Sequence, residues 1–326
     1  MTSSSGIGSM PGDDARDYAE AVRLAFGEVD LAFVPELPAR GATAAITGRS
    51  LAVVSGLGVD LQPAGWRLTD ASGIDHRRAR SLLAQDLDAV EDQAQGFEGI
   101  VKLQVAGPWT LAATVEKPRG DKVLSDVGAR RDLAQALAEG VRIHVADVAR
   151  RVTGGDATRV VVQLDEPALP AVLAAQVPTA SGFGRHRKVD LPEASAALEW
   201  VLGAAAESGA TPVVHCCAPG FPIGLVRGAG ARGVCVDLDQ LVAEQYDDLA
   251  QAVEDGDRVF LGALPTSFAE VSEKQVTERV LRVLDMLGLE PSERLTITPA
   301  CGLAGATPDW AREALRLSSA VAANLG

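Results

Sequence analysis

The sequence has no C-x-x-C pair. Its four cysteines are Cys216, Cys217, Cys235 and Cys301, and this spacing excludes a disulfide scaffold and a zinc ribbon. No apolar run approaches the roughly 18 residues that a membrane span needs. Residues 1–5 carry neither a basic nor an apolar stretch, so no secretory leader is expected and the location expected is cytoplasmic and reducing. Positive charge is scarce: 30 Lys and Arg stand against 44 Asp and Glu, a net charge of −14. A nucleic-acid partner, which wants a basic face, is therefore not expected. There is no G-x-x-x-x-G-K-[ST] phosphate loop, no internal repeat and no low-complexity linker. One G-x-G-x-x-G match, Gly228 to Gly233, follows a helical run and opens a strand-like one. Dinucleotide binding needs the opposite order, so this is a helix end and a turn.

What is present is apolar and alternating. Hydrophobic residues make up 47% of the 326, ample for a large core. At roughly 150 residues per domain the length suggests about two domains, but a single α/β barrel also fits it. Strand-like runs fall at 6–10, 31–34, 101–105, 159–164, 212–217, 233–237, 258–263 and 295–298. Helical periodicity falls at 14–26, 79–94, 130–151, 194–208, 223–227, 246–254, 274–287 and 309–323. Short apolar strands alternating with helices argue for a buried parallel sheet. Eight such units predict a single (β/α)8 TIM barrel over residues 6–326, after a flexible start at 1–5. The Gly- and Pro-rich stretch 40–74 reads as an irregular insertion after the second strand.

In a barrel, chemistry sits at the C-terminal strand ends, and the unusual side chains fall there. His215 and Cys217 stand at i and i+2, so both face one side while Cys216 faces the other. Cys301 and Asp237 end two further strands. Imidazole, two thiols and a carboxylate on one rim suit zinc. Asp237 competes for the fourth position with Cys235, Asp239 and water. Glu36 and Asp165 are rim carboxylates able to bind an ammonium group or act as a base, and Glu166 is expected to cap the turn after it. Ser9 lies in a turn whose N–H groups could hold a carboxylate. Trp66 and Trp109 could line a pocket, whereas Trp200 and Trp310 read as core. The basic runs 75–80 and 184–188 read as a solvated helix start and a solvated loop, the latter on the side where an anionic partner would arrive.

Taken in order, these motifs resemble the catalytic domain of cobalamin-independent methionine synthase. Residues 6–11, Gly-Ile-Gly-Ser-Met-Pro, are similar to the family's I-G-S-F-P, and 105–110 to its T-G-P-V-T. Residues 163–169 are similar to Q-I-D-E-P-A-L, 215–217 to H-x-C, and 299–303 to P-D-C-G-L. The resemblance implies a barrel in which zinc is held by His215, Cys217, the carboxylate of Asp237 and Cys301. It implies homocysteine bound through the Ser9 turn and Asp165, and methyl transfer to its sulfur to give methionine.

Several positions depart from the family. Asp237 stands where the family has Glu. A second family Glu falls near Ala44 and Ala45. Ala304, Gly305 and Ala306 replace K-T-R, and Thr266, Ser267 and Phe268 stand where a His is usual. The second, N-terminal barrel of full-length enzymes has no counterpart in these residues.

The expectation is a zinc-dependent methyltransferase, with Asp165 as catalytic residue and Ser9, Glu36, Asp165 and Trp109 on the substrate. The methyl donor is left open between methyltetrahydrofolate and a corrinoid, the latter brought by a corrinoid carrier protein. The alternatives are a related zinc thiol-alkyltransferase acting on another thiol, a metal-dependent hydrolase or lyase (against which the two thiols argue), and a non-catalytic zinc- and amino-acid-binding barrel.

Overall fold

The computed structural model describes residues 1–326. In chain order its elements are β1 (Ser3–Ser4), α1 (Ala15–Gly27), β2 (Ala32–Phe33), α2 (Ile46–Val53), β3 (Gly58–Gln62), β4 (Gly65–Thr69), α3 (Ile74–Gln93) and β5 (Val101–Ala106). Then come α4 (Pro108–Thr114), α5 (Val127–Val152), β6 (Val160–Asp165), α6 (Leu169–Leu173), α7 (Leu191–Glu207) and β7 (Thr211–Cys216). The chain ends with α8 (Ile223–Gly228), β8 (Gly233–Asp237), α9 (Ala243–Glu254), β9 (Arg258–Leu264), α10 (Glu273–Leu287), β10 (Leu295–Pro299) and α11 (Pro308–Leu325).

Eight strands form one sheet in the order β1-β10-β9-β8-β7-β6-β5-β2, and every pairing in it is parallel. Between β1 and β2 three backbone bonds draw the edges together. Leu31 N–H donates to the Ser4 carbonyl at 2.9 Å, Glu36 N–H to Gly8 at 3.1 Å, and Met10 N–H to Glu36 at 2.8 Å. The result is the (β/α)8 barrel that the alternation predicts. No helix is long and apolar enough to cross a membrane.

Most apolar burial lies between the sheet and the helices, in one cluster of 84 buried residues. Inside the barrel a separate cluster of Leu31, Val161, Val213, Cys235 and Phe260 fills the lower lumen. Above it the lumen turns polar, with Lys102, Gln104 and Gln163 all buried. Local signals set several helix ends. Asp14 accepts the N–H groups of Arg16 and Asp17 at the start of α1. Ser272 and Gln275 form a capping box on α10, and Gly288, at φ 67°, ends that helix in the left-handed region.

Two expectations need correction. The first strand is Ser3–Ser4 rather than 6–10, and Thr2, Ser4 and Ser5 are buried. Serines are poor strand formers, but Ser3 and Ser4 pair with Thr296 and Ile297, so tertiary contact overrides propensity. The insertion is not irregular either. It folds as α2 and an antiparallel hairpin of β3 and β4, with its Gly and Pro serving as turn residues.

The insertion also carries a buried ionic cluster. Arg40 grips Asp86 of α3 through two bonds, at 2.7 and 2.8 Å. Arg49 of α2 bonds the same carboxylate and lies 3.5 Å from Glu36. Asp86 is 2% exposed, so removing it leaves Arg40 with no anion and Arg49 with Glu36 alone. Asp86→Ala is expected to cost about 3–5 kcal/mol, read from urea denaturation. A loss under ~1 kcal/mol would show that the cluster is already hydrated.

Candidate metal centre

The geometry begins with strand register. Asp165 of β6 lies beside His215 of β7, and both face the lumen by the two-residue period. His215 Nδ1 sits 2.9 Å from Asp165 Oδ1. An ionised carboxylate only accepts, so Nδ1 carries a proton and Nε2 is the nitrogen left to face the cysteines. Nε2 is buried and has no partner within the protein. Cys217 lies just past the end of β7, and Cys301 just past β10. Cys301 is framed by Ala300 N–H on the Leu264 carbonyl and Leu303 N–H on the Ser9 carbonyl, both at 2.8 Å. The ligand atoms of His215, Cys217 and Cys301 all lie within 4.8 Å of one another and could hold a metal ion.

Burial and their mutual contacts shift the protonation of these three groups. Burial opposes charge on His215, but the hydrogen bond to Asp165 and then Cys217 overcome it and lift the imidazole to about 9. The two sulfur atoms are 2.8 Å apart. The bond from Cys301 is the largest influence on Cys217, and with His215 it overcomes burial and pulls this thiol down to about 5. The same contact pushes the Cys301 thiol up. An imidazole nitrogen with no other partner and two thiols is a donor set that, once its protons leave, fits a soft or borderline divalent cation.

The other candidate ligands are placed differently. Asp237 ends β8 half-buried, outside the group of three, and its carboxylate accepts the Asp239 N–H at 2.9 Å. Burial raises its carboxyl above the usual range. Asp239 is exposed and paired to Arg279 at 2.7 Å. Cys235 is buried in the lower lumen, and burial pushes its thiol up.

Above the three ligands opens a cavity of about 290 Å³, walled by Ser9, Glu36, Gln104 and Asp165 and closed on one side by Pro38, Ala45 and Ile46. Ser9 and Glu36 form a bridge between the first two strand ends. Close packing fixes that turn. Gly8 has φ +152°, and a Cβ on it would lie 2.7 Å from the Gln104 side chain. A Cβ on Gly302 would lie 2.0 Å from Ser9 Oγ. Burial, partly offset by Arg49, raises the Glu36 carboxyl to about 7. Ala45 lines the cavity, so no second carboxylate stands there.

Other expectations need correction. Trp109 is 1% exposed and does not line the cavity. Its indole N–H donates to the Ala194 carbonyl at 3.0 Å. Glu166 does not cap the turn after it. It accepts the Trp109 and Thr110 N–H groups at 2.9 and 2.8 Å and so caps α4 from the neighbouring strand. Trp66 is buried away from the cavity, and Trp200 is partly exposed rather than core. His76, in the basic run at the start of α3, is buried against the Leu51 carbonyl. In the loop 184–188 the cations are exposed, but His186 is buried 3.1 Å from Asp121.

Sequence reasoning missed Lys102, Gln104 and Gln163. Their alternation within apolar strands marks the lumen-facing side.

Comparison with known proteins gives two kinds of likeness. Residues 98–324 match the family profile described as cobalamin-independent synthase, catalytic domain. No curated protein matches the sequence. Among solved structures the fold is similar to a B12-independent methionine synthase from Shewanella sp. W3-18-1 in complex with selenomethionine. The TM-score is 0.64 at 13% identity, covering 98% of this chain and 96% of that one. It is also similar to GH5_18 from Streptomyces cattleya in complex with GlcNAc, with a TM-score of 0.50 at 14% identity, covering 99% and 79%. At these identities the structural likenesses speak to the barrel alone.

Proposed function

This chain belongs to the family of cobalamin-independent synthase catalytic domains, and on that premise we propose that it is a zinc-dependent methyltransferase that methylates the sulfur of homocysteine to form methionine. The observation that carries this reading is the pairing of two features. His215 Nε2 and two thiols converge at one end of the cavity, and Ser9, Glu36 and Asp165 wall it. The Shewanella structure of the same barrel holds selenomethionine, which has the size and polarity this cavity suits.

His215, Cys217 and Cys301 would hold the zinc, and the fourth position would be exchanged between Asp237 and the substrate thiol. Bound there, zinc supplies a Lewis acid that keeps a substrate thiol as thiolate at neutral pH. The chain's own groups do the rest. Asp165 holds the imidazole in the tautomer that leaves Nε2 free, and its cavity-facing edge meets the substrate ammonium. Glu36, when ionised, takes a second ammonium proton. The backbone N–H groups of the Ser9 turn take the carboxylate. Homocysteine is thereby fixed with its sulfur toward the two cysteines. The new S–CH3 bond forms as the donor's bond to the methyl breaks, and the donor leaves with that electron pair.

The donor is a methylated corrinoid, brought by a carrier protein, or methyltetrahydrofolate. Ala45, at the place of a second family carboxylate, favours one competing reading, a related zinc thiol-alkyltransferase with looser demands on the substrate amine. The free cysteines suit the reducing cytoplasm as the location.

Three measurements test this. Purified protein is expected to carry one zinc per chain, and Cys301→Ser to lose most of it by elemental analysis. A full metal complement in the variant would refute the ligand assignment. Homocysteine is expected to yield methionine with at least one of methyltetrahydrofolate (mono- or polyglutamyl), methylcobalamin and a methylated corrinoid protein. Inactivity across all of them would refute homocysteine methylation.

The third measurement concerns pH. Glu36 carries its proton below about 7 and is an anion above it. Methionine affinity of the zinc-loaded protein is therefore expected to fall by up to roughly tenfold per unit as pH drops below 7. Glu36→Gln should flatten that profile. A wild-type affinity constant between pH 6 and 8 would remove Glu36 from substrate recognition.

A further inference from the structure

The barrel lumen holds one buried lysine that the scheme above does not use. Lys102 of β5 is 0% exposed. Its Nζ donates to the Ile7 carbonyl at 2.7 Å and to Gln104 Oε1 at 3.2 Å, and it lies 5.7 Å from the centroid of the Phe33 ring. An ammonium group in such a place is costly unless its protons find partners, and lumens of this fold are ordinarily filled with branched apolar residues. Here each partner is itself attached to the cavity wall.

Two branches leave Lys102. The first runs through the Ile7 carbonyl, which also accepts Gln163 Nε2 at 3.0 Å. This carbonyl opens the turn of residues 7–9, so two buried donors clamp the segment that carries Ser9. The second runs through Gln104. Lysine can only donate, so it fixes the Gln104 oxygen toward itself and the Gln104 NH2 the other way. That NH2 meets the Val34 carbonyl and, at 3.3 Å, Glu36 Oε1. Lys102 at the oxygen and the Val34 carbonyl at the NH2 hold the Gln104 amide from its two ends. Losing Lys102 leaves the oxygen without its donor, and a flip would turn an acceptor toward the Glu36 carboxylate.

We propose that Lys102 is the positioning residue for the amino-acid end of the substrate, setting the carboxylate-binding turn through Ile7 and the ammonium-binding Glu36 through Gln104. This rests on the reading of the cavity as an amino-acid site.

Calorimetric titration of zinc-loaded protein tests it with three ligands. These are L-methionine, 4-(methylthio)butanoate, which lacks the ammonium, and 3-(methylthio)propylamine, which lacks the carboxylate. Wild-type protein should prefer methionine to both. Lys102→Met should weaken methionine by roughly tenfold or more and bring all three ligands within about threefold of one another, with zinc content unchanged. Gln104→Leu cuts only the second branch. It should abolish the preference over the butanoate and keep the preference over the amine.

A methionine affinity in folded Lys102→Met within about twofold of wild type would overturn the proposal. So would a Gln104→Leu protein that weakens all three ligands alike. If Lys102→Met does not fold, the Gln104→Leu pattern decides alone. A wild-type protein without preference for methionine would refute the amino-acid reading itself, and the inference with it. That failure is visible before any variant is made.

Discussion

The hydrogen bond between Asp165 and His215 Nδ1 sets the character of the site. It spans two neighbouring strands whose register places the two side chains side by side. By holding the proton on Nδ1 it commits Nε2, buried and otherwise unpartnered, to the two cysteines. The pair needs a rigid frame, because an imidazole rotated by a few tens of degrees would no longer converge with the sulfur atoms of Cys217, past the end of the same strand, and Cys301, past the end of β10. A closed parallel barrel supplies that frame.

The upper lumen departs from the usual apolar filling. Lys102, Gln104 and Gln163 bring desolvation costs that an apolar core avoids. They are offset because each polar atom has a partner, and the chain of partners ends at Ile7, Glu36 and Asp165. The packing that stabilises the molecule lies elsewhere, between the sheet and its helices. The two tasks are separated in space: the outer shell supplies burial, and the lumen supplies orientation.

Much of this was legible in the sequence. Eight apolar runs alternating with helices gave the barrel, since a buried parallel strand has a plain signature of short β-branched segments between turns. His215 and Cys217 were legible because strand periodicity puts i and i+2 on one side. Cys301, Ser9, Glu36 and Asp165 were placed by falling at strand ends. What escaped depends on contacts remote in sequence. Trp109 has a substrate-like position next to a strand end, yet the carbonyl that holds its indole belongs to Ala194, on a helix after the next strand. Glu166 caps a helix that precedes it by more than fifty residues, and no local motif encodes that. Ser3 and Ser4 form a strand only because β10 lies beside them. Lys102 was hidden within an apolar strand, where one long side chain does not disturb the average.

The joint between β1 and β2 has a further meaning. Elsewhere round the sheet neighbouring strands share ladders, but here three backbone bonds and the bridge from Ser9 to Glu36 hold the edges together. Ser9 and Glu36 stand on opposite lips of that joint. A small molecule that grips both is a stitch across the barrel's thinnest suture, and its binding energy goes directly into keeping the wall shut. Recognition and mechanical closure are then one event, and the site lies where the wall has most to gain from being occupied.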